Sequence, residues 1–496
     1  MKHYHKSLLA LSILSAVFSS HASTNNSFAE LEQAKEEINR PMEEKVAEFH
    51  QYVNDYLDEY EAWRAQYNKD LDQQRNVLIE HWGSGEVSDQ TKSVEYTVDN
   101  TVKKVIDYEN NSATISVLVD ADADSNSIQA IAQQNLTVNG KTLNLTDANI
   151  SQASVNYSQQ QENKEKAFII EQVDMQMKQL DIQADRLLMS QTGIPDSFIL
   201  ERSYNQKQVL LNEAKLRLIQ LASLYERKRE ELGIHVTAEP MDIPKVTTPV
   251  QQALTESQEV SPSATGPETP LEPLPPKDIN PIDSETITET KKVQTEVVQL
   301  VKPAKKVVSY TVKLPNKSLN HRADQYLPMA ASESNKWGID TAVIMAIMHS
   351  ESSFRPDAKS HIPAFGLMQV VPSSAGHDVN RHIRKIDAPM KAEELYVPPL
   401  NVETGAAYLH ILNSKYLKSI TDPQSRLYCM IAAYNTGAGN VARAFNENRS
   451  TNIRNAAKTI NKMQPDEVYH HLLAELPYDE TKNYLKKVTQ RIALYQ

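Results

Sequence analysis

The sequence predicts a mainly α protein: an all-α C-terminal lobe and an α+β N-terminal domain, joined by a proline-rich linker. Three observations carry that expectation. Glycine is scarce, at 12 of 496 residues, and long segments rich in Gln, Glu, Lys and Leu space their apolar residues three and four apart. Alternating apolar and polar runs occur within residues 93–119. From about Glu239 to Pro303, proline recurs among Thr, Ser, Glu and Gln, a composition that buries too little apolar surface to offset its ordering entropy.

Residues 1–22 read as an export signal. Lys2 and Lys6 precede an apolar run from Leu8 to Phe18, and Ser20-His21-Ala22 places small residues before a cut at Ser23. The run is too short to span a bilayer, and no later stretch is long and apolar enough to do so. Leu14-Ser15-Ala16 resembles the start of a lipid-attachment box, but Val17 stands where the acylated cysteine would be. Cys429 is the only cysteine, so neither a lipidated N-terminal cysteine nor an intramolecular disulfide is expected. The expectation is a soluble exported protein.

Residues 23–238 read as the α+β accessory domain. Phe28, Leu31, Ala34 and Ile38, then Val46, Phe49, Val53, Leu57 and Tyr60, continue a helical spacing to about Trp82, where Gly83-Ser84-Gly85 ends it. The runs Ser93–Val98, Val102–Tyr108 and Ala113–Val119 predict a small antiparallel sheet, with Glu109-Asn110-Asn111-Ser112 as a turn. Asp120, Asp122 and Asp124 invite a calcium reading, but Ser125 replaces the sixth-position glycine and Ile131 stands twelfth. A solvated turn before a helix is expected instead. Between Asn163 and Gly233, one stripe of Phe168, Ile169, Val173, Met177 and Leu180 and another of Leu210, Leu211, Leu216, Leu218, Leu221 and Leu224 predict an antiparallel helical hairpin broken at 192–196.

Residues 239–308 are assigned to the linker, an extended tether, and 309–496 to the C-terminal domain. In the latter, Tyr326–Trp337, Thr341–Glu351, Asn401–Ser419 and Ser425–Tyr434 carry helical spacing. From Tyr310 onward 22 Lys and Arg face 17 Asp and Glu, a balance of +5 in a chain of net charge −12. The overall acidity argues against nucleic acid, and a mildly basic lobe suits a polyanionic substrate.

One helix in this lobe ends on a carboxylate. Asp340 is a fitting N-cap, and Ile344, Ile347, Met348 and Glu351 share a face at i, i+3, i+4 and i+7. Pro356 biases Arg355 away from helix, which predicts a helix end close to Glu351. Desolvation and the negative end of the helix dipole both favour the protonated acid. A carboxylic acid still protonated near neutral pH is what general-acid catalysis requires.

Four stretches accompany that acid: Glu351-Ser352-Ser353-Phe354, Gly366-Leu367-Met368-Gln369, Ala433-Tyr434-Asn435-Thr436-Gly437-Ala438-Gly439, and Glu480-Thr481 with Tyr484. A fifth, from Asn401 through Gly405 to Tyr408-Leu409, lies between them. In this order the chain resembles the lytic murein transglycosylases of the soluble-lytic, goose-lysozyme-like group, over roughly residues 310–496. The N-terminal part, with Trp82-Gly83, Val94-Glu95-Tyr96 and Ile106-Asp107-Tyr108-Glu109-Asn110, looks like the accessory domain of a membrane-bound subfamily of the group. The resemblance implies a lysozyme-like fold for the C-terminal lobe.

It also implies cleavage of the bond between N-acetylmuramic acid and N-acetylglucosamine in peptidoglycan without water. Glu351 would protonate the glycosidic oxygen and then, as carboxylate, take the proton from the muramic C6 hydroxyl as that oxygen closes a 1,6-anhydro ring. Ordinary glycosidases need paired carboxylates, whereas an internal hydroxyl at high effective concentration removes that need. By the same resemblance Ser360 would bond substrate, and Gly366, Leu367, Met368 and Gln369 would form a turn whose Met368 and Gln369 line the groove. Tyr434 and Asn435 would shape its floor, and Tyr484 would hydrogen-bond Glu351. No cofactor is implied; nor is a metal, since His470 and His471 are adjacent and no Cys/His cluster exists.

The implied partner is the peptidoglycan glycan strand, with cell-envelope proteins as candidate partners of the N-terminal domain. The implied location is the periplasm of a Gram-negative bacterium, soluble or peripheral to the outer membrane. Val17 departs from the anchored subfamily, Pro363-Ala364-Phe365 stands before Gly366 where small residues are common, and Thr436 replaces a usual Ala or Gly. Two alternatives stay open: a hydrolytic goose-type muramidase, for which Asp357 and Asp378 are the nearest second carboxylates, and a non-catalytic peptidoglycan-binding scaffold.

Overall fold

A computed structural model of the chain describes residues 42–138, 141–190, 194–234, 305–315 and 317–496. The export signal, Val17 and residues 235–304 of the proline-rich stretch lie outside the described residues. The chain divides into two compact units, Met1–Asn68 and Lys69–Gln496. Helix α1, Met42–Trp82, begins in the first, where Trp63 stacks on Tyr67 with ring centroids 5.9 Å apart.

In the second unit α1 stops as its spacing predicts, at Gly83, whose φ of +74° suits glycine and whose N–H bonds the Ile79 carbonyl. Strands β1 (Lys92–Tyr96), β2 (Val102–Asp107) and β3 (Ser112–Asp120) follow as an antiparallel meander, close to the three alternating runs. Asp124 caps helix α2 (Ser125–Asn135), accepting from the Ser127 N–H, so the aspartate-rich stretch starts a helix. Short strands β4 (Thr137–Val138) and β5 (Lys141–Thr142) pair with each other, and β6 (Asn149–Ser154) joins the main sheet.

Strand β7, Lys305–Lys313, lies between β3 and β6 in the order β1-β2-β3-β7-β6. Its first four residues were assigned by composition to the linker and its remainder to the C-terminal domain, but its pairing joins all nine to the accessory sheet. Every residue of β7 pairs with β3, from Lys305 opposite Asp120 to Lys313 opposite Ser112. The reason is the alternation Val308, Tyr310, Val312, which meets Ala113, Ile115 and Val117 in a core capped by Ile128 and Ala132 of α2. On the opposite face Thr114 and Thr311 hydroxyls bond at 2.9 Å, and Ser116 and Ser309 at 2.8 Å.

The helical hairpin is α3 (Gln159–Ser190) and α4 (Asp196–Glu231). Val173, Met177 and Leu180 pack on Leu210, Leu211 and Ala214. Leu216, placed in the stripe by sequence spacing, is 63 % exposed. The buried face runs through Leu210, Ala214, Arg217, Leu221 and Leu224, on which 216 has no place. Two buried ion pairs, Arg186–Asp378 and Asp185–Arg443, join α3 to the C-terminal lobe.

That lobe is helical. It comprises α5 (Lys317–Trp337), α6 (Thr341–Ser352), α7 (Pro398–Ile411), α8 (Pro423–Thr436), α9 (Ala438–Phe445), α10 (Ile453–Ile460), α11 (Pro465–Glu475) and α12 (Asp479–Ile492). Among the described residues no helix is long and apolar enough to cross a membrane.

Candidate active site

Helix α6 is buried on every side from Ala342 to Ser350, which suits a sequence of Ala, Val, Ile and Met. Asp340 caps it as predicted, its Oδ1 accepting from the Ala342 N–H at 2.8 Å. The helix ends one residue past Glu351. Ser353 and Phe354 then turn the chain with φ of +50° and +64°, two successive left-handed residues without glycine. Such a stop is held by its surroundings. Ser353 N–H bonds the His349 carbonyl, Arg322 Nε bonds the Ser353 carbonyl at 3.1 Å, and Ser352 Oγ bonds the Leu367 carbonyl at 2.7 Å.

The last of these bonds reaches the Gly366–Gln369 turn. Phe365 and Val370 exchange backbone hydrogen bonds across it. Gly366 has φ of +73°, and a Cβ there would strike the Leu395 carbonyl and the Asn401 side chain, so glycine is required twice over. Asn401, at the start of α7 and fully buried, clamps the turn. Its Oδ1 accepts from the Met368 N–H at 2.8 Å, and its Nδ2 donates to the Phe365 and Leu395 carbonyls at 2.7 Å each. One turn along α7, Gly405 leaves room for the Met368 thioether. Gly405→Ala would push a methyl into that sulfur; thermal unfolding is expected to show a loss of about 1–3 kcal/mol.

Glu351 faces a cavity that is open to solvent. Of the sequence-predicted residues, Ser360, Gln369, Tyr434 and Asn435 line it with Glu351. Gly366, Leu367 and Met368 do not. Leu367 and Met368 are fully buried, and Met368, expected to line the groove, packs inward against Gly405 instead. Its carbonyl accepts from the Tyr434 hydroxyl at 2.8 Å, so the turn supports the cavity wall through its backbone.

The lining side chains are tied down in turn. Ser360 Oγ accepts from the Ala364 N–H at 3.3 Å. Gln369 Nε2 donates to the Ala358 and Gly366 carbonyls at 3.1 and 2.9 Å, while its Oε1 stays buried without a partner, an unsatisfied acceptor at the cavity wall. Asn435 Oδ1 accepts from Thr481 Oγ1 at 2.7 Å.

Burial pushes the Glu351 carboxyl up to about 8; Tyr484 and Lys487 pull it down, and Glu480 adds to the rise. The side chain is half-buried, its surroundings dry except where it meets the cavity. Tyr434 and Tyr484 hydroxyls are driven far above the ordinary tyrosine range, first by burial and next by the Glu351 charge, so both remain proton donors. Tyr484 and Glu351 lie close enough to perturb each other, but the Tyr484 hydroxyl makes no hydrogen bond of accepted geometry.

Several lining residues escaped the sequence reading. Tyr408 was visible only as part of the α7 pattern, and Glu480 only as the first letter of its stretch. Gln90, Met175, Lys178, Gln179 and Ile182 come from the accessory part, and no local signal marks them. Asp378 is held by Arg186 and approached by the Tyr416 hydroxyl at 3.3 Å. Asp357 is exposed beside Arg355. Neither lines the cavity, whereas Glu480 does, with its carboxyl raised by burial.

Residues 328–457 match the family described as Transglycosylase SLT domain. The chain is 43 % identical over 190 residues to membrane-bound lytic murein transglycosylase C of Cronobacter sakazakii, covering 38 % of this chain and 51 % of that protein. It is 46 % identical over 182 residues to the protein of the same name from Klebsiella pneumoniae, covering 37 % and 49 %. The chain therefore spans about half the length of the curated relatives it matches. Among solved structures it is 26 % identical to an inactive mutant of lytic transglycosylase Slt from Pseudomonas aeruginosa, over 34 % of this chain and 23 % of that one, with a TM-score of 0.26.

Proposed function

We propose that this protein, whose C-terminal lobe contains a transglycosylase SLT domain, is a lytic murein transglycosylase acting on peptidoglycan in the cell envelope. The observation that carries the reading is Glu351, a carboxyl with its proton affinity raised to about 8, facing the cavity from the end of a buried helix. Protonated at neutral pH, it gives its proton to the glycosidic oxygen as the bond to N-acetylmuramic acid C1 breaks. The carboxylate left behind is destabilised by the same dry surroundings and takes the proton of the C6 hydroxyl. That oxygen bonds to C1, and a 1,6-anhydro end forms as Glu351 regains its proton.

Tyr484 and Tyr434 hold the carboxyl region polar without carrying charge, and the free Gln369 acceptor suits a sugar hydroxyl or amide. Ser360 and Asn435 are placed to contact the same sugar chain. The reading of residues 1–22 as an export signal supports a reaction outside the cytoplasm, with the accessory part as a candidate surface for envelope partners.

Glu480 supports a second reading, hydrolysis with water activated by a second carboxylate on the same cavity. Digestion of purified sacculi with the products weighed separates the two. Anhydro ends, lighter by one water than reducing ends, are the expected product; reducing ends would establish the hydrolase, and intact sacculi would leave only a binding protein.

A further inference from the structure

The β2–β3 turn of the accessory sheet reaches the end of the catalytic helix. Tyr108 lies beneath two guanidinium groups, those of Arg322 and Arg355, each 4.9 Å from its ring centroid. The next residue, Glu109, accepts from Ser353 Oγ at 3.1 Å, two positions beyond Glu351. Its other oxygen pairs with Lys487 at 3.1 Å and with Arg491. Arg491 continues into α6, donating to the His349 carbonyl at 2.9 Å and to Ser350 Oγ at 3.3 Å.

Tyr484, Lys487 and Arg491 stand three and four residues apart on α12, one face of one helix. A further residue tying α12 to the strained end of α6 thus comes from a hairpin more than two hundred positions earlier in the chain. Among the described residues, the salt bridges of Lys487 and Arg491 both go to Glu109.

We propose that Glu109 is a positioning residue for Glu351: it fixes α12, and with it Tyr484, against the end of α6, and it screens the acid from Lys487. The inference rests on the reading of Glu351 as the general acid. The groups that face Glu351 are Glu480, Tyr484 and Lys487 from α12 and Tyr434 from α8, with Lys178 of α3 acting beside Glu480. Around Glu109 stand Lys487, Arg491 and His349, the last neutral and bonded to the Tyr495 hydroxyl at 2.9 Å. Without Glu109, Lys487 loses its counter-charge and favours the ionised form of Glu351 more strongly. Lys487 is itself among the groups that pull Glu351 down, which gives the idea a second handle of opposite sign.

The test is the pH profile of kcat/KM for release of soluble muropeptides by the full chain, taken through the alkaline limb. Glu109→Gln is expected to move that limb down by roughly 0.5–1 pH unit and to lower kcat about 3–10-fold with KM little changed. Lys487→Met is expected to move it up, and the double variant to fall between the two. A limb unmoved in a folded Glu109→Gln, or single variants that move it the same way, overturns the proposal. Should Glu109→Gln fail to fold, the absence of an upward shift in Lys487→Met overturns it equally. A wild-type chain that releases no muropeptide sinks the Glu351 reading itself, a different failure.

Discussion

Glu351→Gln is expected to leave sacculi unlysed, with the turnover rate down by at least about 10³-fold. General-acid catalysis alone contributes roughly 10²–10⁴-fold, and here one group serves as acid and then as base. Glutamine keeps the shape and cannot cycle a proton. In the wild type, kcat/KM should fall as pH rises through about 8, where Glu351 ionises in the free protein.

The same substitution has a stability signature. The Glu351 carboxyl sits above its ordinary 4.5, so the folded state holds this proton more tightly than the unfolded state does. Its ionisation therefore costs stability: nothing below about pH 4.5, progressively more between 4.5 and 8, and the full amount above 8. Glu351→Gln removes that cost. Thermal melts should show the variant more stable than wild type at alkaline pH, by at most roughly 4 kcal/mol and less for the solvent reaching the cavity side, with the difference vanishing toward pH 4.5. A variant both inactive and unaltered in its pH-dependent stability would mean that Glu351 is not the desolvated group described here.

Asn401→Ala is expected to cost about 3–5 kcal/mol, the largest stability loss of any single substitution considered. One buried N–H and two buried carbonyls lose their partner together, and each orphaned group costs about 1–3 kcal/mol. Because Asn401 holds the Gly366–Gln369 turn, lytic activity should fall at temperatures well below the melting transition. Chemical denaturation, with activity followed on the same samples, checks both. A loss under about 1 kcal/mol would show that the turn holds its shape by backbone bonding alone.

The parts of this architecture that sequence reveals are those specified by near neighbours. Asp340 and the run behind it predicted α6, and Pro356 predicted its end near Glu351, because capping and proline geometry act within a few residues. The β2–β3 hairpin and the α3–α4 pair were equally legible from period alone. Strand β7 was not, although Val308, Tyr310 and Val312 alternate visibly. Its partner β3 lies nearly two hundred residues away, and the strand directly follows the proline-rich stretch that ends at Pro303.

At the site, the motifs located Glu351, Gln369, Tyr434 and Asn435 on one cavity but assigned Met368 to its wall. A short motif does not say which of its side chains points inward; that depends on Gly405 and Asn401, more than thirty residues on. The wall supplied by α3 carried no signal at all, since Lys178 and Gln179 look like any solvated helix surface until the hairpin docks.

The insertion of β7 between β3 and β6 changes what the proline-rich stretch can accomplish. The described residues of the helical hairpin end at Ile234, and Lys305 begins a strand hydrogen-bonded along both edges. Because β7 pairs along its whole length with β3, lengthening residues 235–304 would not carry the catalytic helices farther from the accessory sheet. A protease cutting between positions 234 and 305 would leave two polypeptides still zipped together, eluting as one species until denaturant parts the strands.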